Sequence, residues 1–79
     1  MKRYVTELGA DLLEKAAIIE KIYQKRGDYK TVAQIGEFTQ NIKTVLTYAG
    51  RDLLTGIEAA RQICRYAEKL NDDAGIVLY

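Results

Sequence analysis

Apolar residues recur at steps of three and four along nearly the whole chain, and no proline interrupts them in 79 residues. That spacing matches the 3.6-residue period of a helix and predicts an all-α fold. In the first stretch Val5, Leu8, Leu12, Ala16, Ile19 and Tyr23 form one stripe, widened by Leu13, Ala17 and Ile22. Glu7, Asp11, Glu14, Lys15, Glu20, Lys21, Lys25 and Arg26 fill the other face. The pattern predicts a helix over 3–26, closed by Gly27 as a left-handed cap after two basic residues that suit the helix dipole. Arg26-Gly27-Asp28 also spells a cell-adhesion tripeptide, but a helix exit followed by a helix cap accounts for it.

A second helix is predicted over 30–49, from Val32, Ile35, Phe38, Ile42, Val45, Leu46 and Ala49. Its start is marked either by Asp28 as the cap or by Thr31, with Gln34 three residues on as a capping box. Gly36 weakens it, by roughly 1 kcal/mol relative to Ala at a mid-helix position. Gly50 then offers an end and Asp52 a new cap, so a third helix is predicted over 52–71. It carries Leu53, Leu54, Ile57, Ala60, Ile63, Cys64, Ala67 and Leu70 and ends at Asn71-Asp72-Asp73. The apolar phase runs through Gly50 without a slip: Ile42, Ala49, Gly56, Ile63 and Leu70 are seven apart, as are Leu46, Leu53, Ala60 and Ala67. Two architectures therefore fit, a small three-helix bundle and a long helical hairpin. In the hairpin one helix over 31–70 would run about 60 Å, and a second chain would have to cover what the first helix cannot reach.

Size favours a partner in either case. A chain this short buries only about 60% of its unfolded surface, and a single Cys rules out an internal disulfide, so a homodimer is expected. Cys64 lies within the apolar pattern and reads as a small core residue. The chain has no His, Ser or Trp, which removes Ser-His and Cys-His nucleophiles and His-containing metal sites. Asp11 with Glu14, and Asp72 with Asp73, read as solvated carboxylates, since a di-iron bundle also needs His. The six Gly residues are too scattered for a phosphate loop. No catalytic, cofactor or metal site is expected. No basic-plus-apolar leader opens the chain, the longest apolar run (74–79) falls far short of the ~20 residues of a membrane span, and a free thiol suits a reducing compartment. The expected location is the cytoplasm.

Charge is unevenly distributed. Residues 1–30 hold seven basic and five acidic groups and 51–79 hold four and five, but 31–50 hold one of each, Lys43 and Glu37. The polar residues of the middle helix are neutral: Gln34, Thr39, Gln40, Asn41, Thr44 and Thr47. Such a helix is either wedged between two others or presents a partner-binding face. The chain also holds six Tyr against one Phe, and Tyr48 and Tyr66 fall off the main stripes, where tyrosine serves as an interface anchor. The apolar segment 74–79 should dock on its own bundle, a sister subunit or a partner. These features nominate Gln40, Lys43, Thr44, Thr47, Tyr48, Tyr66, Ile76, Leu78 and Tyr79 as partner-binding. The expected function is a non-catalytic protein–protein interaction module. It would serve as a small adaptor, or as an inhibitor or modulator of a larger assembly, of the kind phages and plasmids carry.

An alternative rests on a resemblance. Thr31-Val32-Ala33-Gln34-Ile35-Gly36-Glu37-Phe38, then Thr39-Gln40-Asn41, then Ile42-Lys43-Thr44-Val45-Leu46-Thr47-Tyr48 is similar to the helix-turn-helix of bacterial regulators. The resemblance implies a turn near Asn41 and a recognition helix that Asn41 caps, with Lys43, Thr44, Thr47 and Tyr48 facing a DNA groove. One positive charge in that stretch gives little attraction for phosphate, so protein, including a second copy of the chain, is the expected partner.

Overall fold

A computed structural model describes residues 2–78, of Lys2 the backbone only. It contains α1 (Lys2–Arg26), α2 (Tyr29–Gly50) and α3 (Gly56–Ala74), with no strand among the described residues. The three-helix arrangement is the one formed, and no helix continues from 31 to 70. Gly9 of α1 lies against Leu46 of α2, and Glu37 of α2 pairs with Lys69 of α3 at 3.4 Å. Early residues thus meet late ones, so α2 runs antiparallel to both neighbours and α1 and α3 run parallel. The molecule is 39 Å long and about 19 Å across, a length set by the 25 residues of α1 at 1.5 Å each.

Local chemistry accounts for each helix end. Gly27 takes a left-handed φ of 74°, its N–H donates to the Gln24 carbonyl, and the Asp28 N–H donates to that of Tyr23. This Schellman pattern closes α1. Asp28 caps α2 in the next step: one carboxylate oxygen accepts from the Thr31 N–H at 3.2 Å and the other from its hydroxyl at 2.7 Å. The Arg26-Gly27-Asp28 tripeptide is therefore an exit followed by a cap.

The α2–α3 connection departs from expectation. Asp52, not Gly50, carries the left-handed conformation, with φ of 59°. Its N–H donates to Ala49 and the Leu53 N–H donates to Tyr48, a second Schellman closure with a non-glycine at its left-handed position. Asp52 is thereby engaged in ending α2 and does not start α3. Thr55 does: its hydroxyl accepts from the Glu58 N–H, and Glu58 accepts from the Thr55 N–H, each at 3.1 Å, a reciprocal capping box. The third helix begins four residues later than predicted. It also ends later, running through Asn71-Asp72-Asp73 to Gly75, where φ of 68° closes it.

Among the described residues the core is wholly apolar. Val5, Leu12 and Ala16 come from α1, and Ile35, Phe38, Ile42, Val45 and Ala49 from α2. Ala59, Ile63, Ala67 and Leu70 come from α3, and Ile76 and Leu78 from the tail. Burying each Leu or Ile stabilises by about 1.5–3 kcal/mol. Five residues of the predicted apolar stripes are corrected here. Leu53 is exposed in the α2–α3 connection, and Cys64 and Ile57 are exposed on α3, because α2 packs against both neighbours whereas α1 and α3 touch much less. The α3 edge that a third contact would cover therefore stays open. Ala17 and Ile22 face solvent, since the buried side of α1 is a narrow line through Val5, Leu12 and Ala16.

Candidate protein-binding surfaces

The central position of α2 gives it two packed flanks and one outward strip. The flanks are wedged between α1 and α3, and Glu37 lies on the α3 side. Gln40, Lys43, Thr44, Thr47 and Tyr48 lie on the exposed remainder. Two of its hydroxyls are turned inward: the Thr44 Oγ1 donates to the Gln40 carbonyl at 3.0 Å and the Thr47 Oγ1 to that of Lys43 at 2.9 Å. With the hydroxyls so engaged, each threonine's donor is already used within its own helix. The strip is thus less polar than its composition suggests, and Tyr48, 45% exposed, sits at its edge.

The remaining nominated residues separate. Tyr66 is half-buried and joins Asn41 in the narrow cleft between α2 and α3, beside the Glu37–Lys69 pair. Ile76 and Leu78 are buried in the chain's own core, so in this fold the tail docks on its own bundle and does not offer those side chains to a partner. Tyr79 lies outside the described residues. The helix-turn-helix geometry is not formed. α2 is one uninterrupted helix through Thr39-Gln40-Asn41, and Asn41 is mid-helix rather than a cap, because Phe38, Ile42 and Val45 keep a single helical register against the core.

A second surface was not anticipated from the sequence. Where α1 and α3 diverge, an open groove of about 560 Å³ runs along α3, with Tyr4 and Val5 on one side and residues from Gly56 to Glu68 on the other. Ile57, Ala60 and Cys64 form its apolar line, with Arg61, Arg65 and Glu68 outside it. Tyr4 and Ile57 are 63% and 54% exposed. The available signal was the width of the α3 stripe: Ile57, Ala60 and Cys64 add a second apolar edge to a helix that buries only one.

Neither shifted carboxylate belongs to these surfaces. The Thr31 hydroxyl and N–H hold Asp28 below its ordinary pKa, and the Thr55 N–H does the same for Glu58. Both shifts come from capping. Among the described residues no three His, Cys, Asp or Glu side chains stand close enough to hold a metal ion, and no helix is long and apolar enough to cross a membrane. Compared with known proteins, the chain matches no family model, no curated protein and no solved structure.

Proposed function

We propose that the protein is a non-catalytic protein–protein interaction module, a small helical adaptor or an inhibitor or modulator of a larger assembly, working in the cytoplasm, where the exposed Cys64 thiol stays reduced. The outward strip of α2 carries this reading. A solvated helix face ordinarily bears charge. Here Gln40, Thr44, Thr47 and Tyr48 offer an amide, two threonines and a phenol, with Lys43 the only positive charge among them, a composition suited to the centre of an interface. Helix–helix packing accounts for the apolar flanks of α2 and leaves the sparse charge of its exposed side unexplained.

Thr44→Glu with Thr47→Glu tests the reading. Both positions are exposed and neither hydroxyl bonds beyond its own helix, so the double variant keeps its helical content and melting temperature while losing its protein partner. A double variant that binds as the parent does would overturn it.

A further inference from the structure

Resting on the interaction-module reading, we infer that the α1–α3 groove is a self-association site in which α3 of a second copy lies antiparallel across a two-fold axis. Arg61, Arg65, Glu68 and Asp72 are all exposed and share one side of α3 by their spacing of four, three and four. The two bases come first and the two acids follow. Within one chain this order gives one opposite-charge pair, Arg65–Glu68, and two like-charge pairs. Arg61–Arg65 and Glu68–Asp72 are like-charge pairs one turn apart. The last turn of α3 also holds Asp72 and Asp73 but no basic residue, the reverse of what the helix dipole favours. None of the four side chains has an ion-pair partner within 4 Å among the described residues. The nearby Glu58 is already held by Thr55.

An antiparallel second copy reverses the order. Because Arg61–Arg65 and Glu68–Asp72 have equal spacing, one register sets Arg61 opposite the second copy's Asp72 and Arg65 opposite its Glu68. Two-fold symmetry doubles both pairs. Arg61, Arg65 and Glu68 line the groove between α1 and α3, so the second copy's α3 lies along its open side. The pairs are solvent-exposed, so self-association is salt-sensitive.

Sedimentation equilibrium from about 10 µM to about 1 mM tests this on four proteins: the wild type, Arg61→Glu with Arg65→Glu, Glu68→Arg with Asp72→Arg, and the fourfold exchange. Circular dichroism checks that each is folded, as expected for exposed positions. The wild type dimerises, and each double variant weakens the dimer by about tenfold or more. The fourfold exchange restores it, since antiparallel complementarity survives complete reversal. A wild type that stays monomeric, double variants that dimerise undiminished, or a fourfold exchange that stays monomeric would each overturn the inference. The Thr44→Glu, Thr47→Glu variant separates the two readings: it dimerises as the wild type does, so loss of partner binding there with an intact dimer bears on the α2 strip alone.

Discussion

Gly9 and Leu46 set the approach of α1 to α2: a Cβ on Gly9 would stand 2.7 Å and 2.8 Å from the two Leu46 methyl carbons. Gly9 is buried, and its missing side chain lets the two helices close over Leu46. Gly9→Val is expected to destabilise the fold by about 1–3 kcal/mol through overpacking. Leu46→Ala should cost less in the Gly9→Val background than in the wild type, because it makes room for the added methyls. Urea denaturation of the four proteins of that cycle checks the coupling. Equal costs of Leu46→Ala in both backgrounds would show that the two residues do not compete for space.

Helix starts account for two further expectations. Thr55→Ala removes the hydroxyl that accepts from Glu58 and should cost about 1 kcal/mol, lowering the melting temperature of a chain this size by about 4–8 °C. Asp52→Ala does not disturb that cap, so only Thr55→Ala should fray the first turn of α3 in amide exchange.

Stability should also fall in acid. Asp28 and Glu58 have folded pKa values below their ordinary 3.8 and 4.5. Their charged forms therefore stabilise the fold fully above those ordinary values, and the contribution is lost as pH falls through the lowered ones. Melting temperatures between about pH 6 and pH 2 are expected to drop below about pH 4.5, and Asp28→Asn with Glu58→Gln should flatten the drop. An equal slope in that variant would remove the caps from the explanation.

The tail closes the core. Leu78→Ala, at a position 4% exposed, should cost about 2–4 kcal/mol. Val77→Ala, at the 64% exposed position beside it, should change stability by less than about 0.5 kcal/mol. Chemical denaturation distinguishes them, and equal effects would mean that the tail does not alternate inward and outward.

Periodicity made much of this fold legible. Val5, Leu12 and Ala16, then Ile35 to Ala49, then Ile63, Ala67 and Leu70 are core residues in both the sequence pattern and the structure. The seven-residue series Ile42, Ala49, Gly56, Ile63 and Leu70 marks five buried positions, yet it is blind to the reversal of the chain between Ala49 and Gly56. That reversal depends on Asp52 accepting a left-handed backbone, which composition alone does not reveal. Thr55 with Glu58 three residues on was a readable capping box, masked by the nearer Asp52. Cys64 and Ile57 were misplaced for a different reason: a stripe's width shows which residues are apolar, and only the packing of α1 against α3 decides which edge is covered. Of the nominated surface, Gln40, Lys43, Thr44, Thr47 and Tyr48 are exposed on one side of α2, while Ile76 and Leu78 belong to the core.

Capture from a lysate of the native host tests the central claim most directly, with tagged wild type and the Thr44→Glu, Thr47→Glu variant run side by side after nuclease treatment. The account predicts a stoichiometric protein that the wild type retains through nuclease and the variant loses. Equal retention by both would contradict the α2 strip as the binding face, and capture that disappears with nuclease would contradict a protein-binding role and point to nucleic acid.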